Sequence, residues 1–362
     1  MPTREVRKTA VRLSDGRQLI YFDWTARPGR DAADQRGLPP AQADCQLRYD
    51  PLLAAWAMYG ARRQDRGYLP GAADCPLCPS AGGRYTEIPA GDYEVAVFEN
   101  RYPALAESAG PASPPDALLP VRPSAGRCEV ICFTSEHDAS FAELTPDRVR
   151  LVTEALIDRT AALSALPGVA QVYCFENRGR EIGVTQPHPH GQIYAYPFVT
   201  PRTAAMLRSA RAYARRTGRN LFDDVVAAER TAGDRMVRAG RHWVAFVPHA
   251  ARWPYELHCY PVRRVPDLAS LRPAERAELA DFELDLLGRF ARLFAAPAPY
   301  VCGWHQAPAR TGRAAFALHL ELFTVRRTDD KLKYLAGSES GMDAFANDVL
   351  PEQAAARLRE LG

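Results

Sequence analysis

Alternation of apolar and polar residues dominates this chain, and it comes in two matching series. Near the start, VRLSDGRQLIYF holds two alternating runs about Asp15-Gly16, the dipeptide favoured in two-residue hairpin turns, so residues 1 to 24 are expected to form a β-hairpin. Between about Tyr93 and Phe198 the pattern predicts strands at YEVAVFEN and CEVICFT, a helix over Pro146 to Ala165, and strands at VAQVYCFEN and HGQIYAYPF. The plan then repeats with HWVAFVP, YELHCYPV, a helix over Pro273 to Phe294, PYVCGWH and AFALHLELF. Pro146 and Pro273 both fall where the first turn of a helix tolerates proline. Each unit therefore reads as an antiparallel sheet carrying a helix, an α+β fold built twice, with a last short helix in DVLPEQAAARLREL.

Two stretches break the pattern. Thr25 to Asp44, rich in Arg, Gly, Pro and Asp, reads as a surface loop, and Glu107 to Gly126, dominated by Pro, Ala, Ser and Gly, as a mobile insertion between strands. A chain of 362 residues can bury a sizeable core. Its 46 basic and 43 acidic side chains leave a net charge of only +3, which points to neither a nucleic-acid nor a membrane surface. No apolar run approaches the roughly 18 residues of a membrane span, and no apolar stretch follows the basic N-terminal residues, so a soluble intracellular protein is expected. Of eight cysteines, only Cys75-Pro-Leu-Cys78 form a close pair, a spacing that suggests metal binding or redox chemistry; Cys45, Cys128, Cys132, Cys174, Cys259 and Cys302 read as buried apolar thiols.

Chemistry concentrates in PHPHGQIYAY. Strand alternation sends His188, His190 and Gln192 to one side. An imidazole can attack phosphorus to give a high-energy phosphoramidate, and a neighbouring amide can hold the non-bridging oxygens as charge develops. A single histidine is more often a locally hydrogen-bonded surface group, but two of them bracketed by prolines and followed by Gly-Gln weaken a strand in a way that packing alone does not require.

PHPHGQ, together with RYDPLLAAW, CPLC, FENRYPAL, ICFTSEHDASFAEL, FENRGREIG, WPYELHCYP, GWHQAP, LHLELF and KYLAGSE in that order, resembles the galactose-1-phosphate uridylyltransferase family, a branch of the histidine-triad superfamily, over roughly residues 46 to 360. The resemblance implies an N-terminal hairpin and loop (1–45), a histidine-triad-like catalytic unit (46–200), and a second such unit with a substrate-binding segment (201–362). It implies that His190 takes a uridylyl group from a UDP-hexose and passes it to a hexose 1-phosphate, with Gln192 on the phosphoryl oxygens, and that zinc is held by Cys75, Cys78, His137 and His188. Arg63, Arg66, Asn100, Asn177, Gly183, Thr185, Lys333, Tyr334, Ser338 and Glu339 are the implied substrate contacts, some of them lent by a partner in a cytoplasmic homodimer.

Setting the two repeats side by side places His319-Leu-Glu321 opposite His188-Pro-His190, so that a carboxylate stands where the first unit has its nucleophile. A second ion, iron or zinc, has His305, His319 and Glu321 as its candidate ligands, with a hydrogen-bonded structural cluster as the alternative. Arg101 stands where the family usually has an acid, and Phe345 where an amide is common. An adenylyl-specific phosphorylase of the same superfamily, or an inactive zinc-braced nucleotide-binding protein, are the competing readings. KYLAGSE favours the transferase over the first, and the intact His190 and Gln192 argue against the second.

Overall fold

The computed structural model describes residues 4–60, 68–107, 109 and 116–362. The expected hairpin forms as β1 (Arg7–Arg12) and β2 (Gln18–Asp23) and joins a much larger sheet. The first repeat supplies β5 (Val95–Glu99), β7 (Arg127–Cys132), α1 (Pro146–Ala165), β8 (Gln171–Arg178) and β9 (His190–Tyr196). The second supplies β11 (Trp243–Phe246), β12 (Tyr255–Pro261), α4 (Pro273–Ala291), β13 (Tyr300–His305) and β14 (His319–Thr324). With β10 (Met236–Ala239) at the far edge these make one antiparallel sheet of 11 strands, ordered β1-β2-β5-β7-β9-β8-β13-β14-β12-β11-β10. The two repeats meet at its centre, where β8 pairs with β13.

One face of the sheet carries the main core. Val97, Ile131, Ile193, Val172, Leu257 and Leu320, on one face of the strands, point into α1, α4 and the C-terminal helix (Pro351–Glu360), whose Ala354, Ala355 and Leu358 close the layer. Both long helices start at the expected prolines, with Thr145 capping α1 through Arg148 N. The opposite face is covered in pieces. A three-stranded sheet of β3 (Cys45–Asp50), β4 (Ala55–Gly60) and β6 (Val121–Pro123) packs Leu47 and Trp56 on Tyr194 and Tyr196. Over the second repeat lie α2 (Pro201–Thr217) and α3 (Leu221–Ala232), with Leu207 and Phe222 on Phe316 and Phe222 and Val226 on Val244 and Tyr260. Between these covers the start of β9 remains open.

The segment Thr25 to Asp44 has no helix or strand, as expected, but it is anchored: Arg30 forms a buried two-pronged pair with Asp23 at 2.7 Å. The insertion reading for Glu107 to Gly126 falls partly outside the described residues, and its described end forms β6. The six isolated cysteines are all buried, as expected.

Beneath β9 the core holds two carboxyls. Glu176 of β8 accepts a hydrogen bond from Tyr300 at 2.9 Å, while Glu283 of α4 shares with it a small cavity of about 30 Å³. Burial pushes Glu176 up to about 7; burial and then the charge of Glu176 push Glu283 up to about 8. A carboxyl with its folded pKa above the ordinary value stabilises the fold while protonated, and that stability is lost as pH rises through the folded value. Thermal unfolding should therefore show the melting temperature falling between pH 5.5 and pH 8. Glu283→Gln, neutral throughout, should flatten this fall and melt about 5 °C above the parent at pH 8; parallel curves would exclude it.

Candidate active site and metal centre

His190 opens β9, opposite Cys132 of β7, and Gln192 lies two residues on, opposite Val130 of β7 and Phe175 of β8. Alternation carries both side chains to the open face, while the intervening Gly191 lies against Phe133 and the Phe175 carbonyl, where an added Cβ would sit 2.9 Å from each. The strand can therefore pass close beneath the two polar residues without a side chain to displace Phe133.

Two compartments meet at His190. One, of about 300 Å³, is lined by Asn100, Thr185, Gln186 and Gln192 with Phe98 and Arg101. The other, of about 270 Å³, is lined by Asn177, His137, His188, Gln186 and the Arg178–Arg180 turn. Of the sequence-derived substrate contacts, the fold thus brings Asn100, Asn177, Thr185 and Gln192 to the histidine. Gly183 is the left-handed cap of the short turn after Asn177, at φ 82°, and shapes the loop. Arg63 and Arg66 lie outside the described residues. Lys333, Tyr334, Ser338 and Glu339 line neither compartment: Lys333 pairs with Glu339 at 2.9 Å, the Ser338 hydroxyl donates to the Ala344 carbonyl, and Tyr334 is exposed. Phe345 packs on Trp253 in the same region.

Hydrogen bonding sets the state of the histidine. Its Nδ1–H donates to the His188 carbonyl at 2.8 Å, leaving Nε2 with a free lone pair. Burial lowers the pKa of His190, which favours this neutral form. A neutral imidazole anchored at one nitrogen can act as a nucleophile at the other, and the carbonyl offsets the positive charge that develops as Nε2 bonds.

Immediately behind, Cys75, Cys78, His137 and His188 converge, their ligating atoms all within 4.8 Å of one another. Cys78 Sγ lies 3.4 Å from His137 Nδ1 and 3.6 Å from His188 Nδ1. A tetrahedral ion with bonds of about 2.3 Å to sulfur and about 2.0 Å to nitrogen needs donors roughly 3.5 Å apart, so this set fits a metal ion. Burial lowers His188 to about 4, keeping it neutral, and raises the Cys75 thiol to about 11, so its proton leaves only when a cation arrives.

The second repeat contains a counterpart, which corrects the pairing expected from sequence. Gln192 faces Phe175 across β9–β8, Glu321 faces Gly303 across β14–β13, and Phe175 faces Gly303 across the centre. His319 Nδ1 donates to the carbonyl two residues earlier, Ala317, at 2.9 Å, as His190 does to His188. His319 thus stands in the place of His190, and Glu321 in that of Gln192. His319 is wholly buried, so it cannot meet a substrate. Around it gather His305 and Glu321, as expected, and also Glu256 and His258 of the WPYELHCYP run and Arg202, none of them a candidate ligand from sequence. His319 Nε2 and Glu321 Oε1 are buried without hydrogen-bond partners, 3.4 Å apart.

Residues 44–200 match the family described as galactose-1-phosphate uridyl transferase, N-terminal domain, and residues 206–362 match its C-terminal domain. A galactose-1-phosphate uridylyltransferase of Streptomyces lividans is 48% identical, covering 98% of each chain. The chain belongs to the galactose-1-phosphate uridylyltransferase family. The family enzyme of Thermotoga maritima is 36% identical over 87% of this chain and 98% of its own. A solved uridylyltransferase structure superposes with a TM-score of 0.77 at 30% identity, covering 87% of this chain and 98% of that one. Among the described residues, no helix is long and apolar enough to cross a membrane.

Proposed function

We propose that this chain exchanges a uridylyl group between UDP-glucose and galactose 1-phosphate through a covalent intermediate on His190. The observation that carries the reading is the orientation of His190: neutral, tethered through Nδ1, with Nε2 free where two compartments meet. Nε2 attacks the uridylyl phosphorus, the bond to glucose 1-phosphate breaks, and that phosphate departs with the electron pair. Galactose 1-phosphate then attacks the same phosphorus, the N–P bond breaks, and UDP-galactose leaves free His190. Gln192, two residues along the same face, holds the non-bridging oxygens. Asn100, Thr185 and Asn177 hold the nucleotide.

Zinc suits the two-thiol, two-imidazole donor set of Cys75, Cys78, His137 and His188, where it would brace the loop and strand behind His190. The unpartnered His319 Nε2 and Glu321 Oε1 favour a second ion, iron or zinc, with His305 as third ligand. Arg202, 2.5 Å from the other Glu321 oxygen, already supplies a positive charge there, so this ion would be the more weakly held. Because Lys333, Tyr334, Ser338 and Glu339 stay away from their own His190, their contacts to hexose would be made in the site of a second copy, in a cytoplasmic homodimer.

Intact-protein mass after mixing with UDP-glucose tests the reaction. A uridylyl adduct that galactose 1-phosphate discharges is expected; an adduct only from adenine nucleotides would favour a phosphorylase, and no adduct from any nucleotide an inactive binding protein.

A further inference from the structure

Tyr93, just ahead of β5, is 1% exposed and is not among the site residues expected from sequence, yet its hydroxyl lies at the junction of the metal loop and the strand that carries His190. It donates to the Leu77 carbonyl, between Cys75 and Cys78, at 2.9 Å. The same oxygen lies 2.7 Å from His188 Nε2, which is also 2.8 Å from the Thr134 carbonyl. With the hydroxyl proton committed to Leu77 and a carbonyl as the other neighbour, Nε2 has only acceptors around it. His188 must then carry its proton on Nε2 and present the Nδ1 lone pair toward Cys78.

We infer that Tyr93 is a positioning residue: its buried hydroxyl fixes the tautomer and ring orientation of His188 and ties the Cys75–Cys78 loop to the segment that carries His190. The chain of contacts runs from Leu77 O through Tyr93 and His188 to the His188 carbonyl, on which His190 Nδ1 rests. Histidine ligands depend on such outer partners, whose loss commonly weakens metal affinity by about 10–100-fold. The ring of Tyr93 packs among Leu77, Ile88 and Phe98, so phenylalanine preserves the packing and removes only the hydroxyl.

This inference rests on the metal reading above, and the experiment separates the two. Purified Tyr93→Phe and the parent are each challenged with a chelator while zinc release is followed by a colorimetric indicator. In parallel, kcat and KM for UDP-glucose are measured. The expected result is one tightly held zinc in both proteins, release from the variant at least about 10-fold faster, and a lowered kcat with KM nearly unchanged. Equal release rates with equal kcat would overturn the role of Tyr93. A parent that holds no tightly bound metal would overturn the metal reading instead. The tautomer is read independently in the parent by ¹⁵N shifts of its histidines: His188 protonated at Nε2 is expected, and a proton on Nδ1 would overturn the inference even if the variant did not fold.

Discussion

Replacing His190 by alanine is expected to abolish the uridylyl adduct and to lower turnover by at least about 10⁴-fold, because the variant has no nucleophile and direct displacement by a second phosphate must bring two anions together. The fold should survive, since the histidine is half-buried at the mouth of the cleft and its hydrogen bond to the His188 carbonyl can pass to water. Affinity for UDP-glucose should change little, because the compartment walls around Asn100 and Asn177 remain. The pH dependence of adduct formation in the parent carries a second reading. Burial holds the His190 pKa below the ordinary 6.5, so the neutral form is already dominant at pH 7. The rate should be level from pH 8 down to about 6.5 and fall only below that. A fall beginning above pH 7 would mean that another group titrates in the step, and an adduct that forms without His190 would place the intermediate elsewhere.

Much of this architecture was legible because the strands of both repeats bury one face against helices, and burial writes itself as alternation. HGQIYAY and HLELF could hardly be anything else. The small sheet was not: AWAMYG has three exposed residues in succession and covers the face of β9 through Trp56 more than through any periodic pattern. Helices α2 and α3 also went unread, although Pro201 after Thr200, Asn220 ahead of Leu221, and Gly218 in the left-handed conformation at the end of α2 mark their ends. Their apolar faces are narrow and α2 is rich in arginine, so composition hid them.

The pairing of the repeats failed for a physical reason. A slip of two residues leaves every side chain on its own face, so alternation is blind to it, and matching one His-x-His to His-x-Glu looked natural. Only ladder register and the shared bond from Nδ1 to the carbonyl two residues back distinguish the alternatives. Tyr93 and His258 carry no such signal for a different reason: each meets a residue far away in sequence, His188 for Tyr93 and Glu321 for His258, and a lone Tyr or His has no spacing that marks such a contact.

Cys78→Ser should be the most damaging change outside the nucleophile, because Cys78 Sγ is the atom that meets both imidazoles of the metal group. Without that thiolate the ion loses a strong donor at the centre of the set, and binding energy that is also folding energy is lost with it. A fall in melting temperature on the order of 10 °C and adduct formation slower by about 100-fold are expected, with the tightly held zinc absent by elemental analysis. Cys45→Ser serves as the control: Cys45 too is buried, but at the start of β3 and outside the metal group, so the variant should keep the zinc. Elemental analysis also tests for the proposed second ion. Mild chelation of the parent should remove the ion at His305, His319 and Glu321 first and leave the adduct-forming rate intact, because that cluster is sealed from the cleft. If Cys78→Ser retained a full equivalent of zinc and the parent's rate, the ion would not be held behind His190, and the strand would owe its position to packing and to the Tyr93 bonds alone.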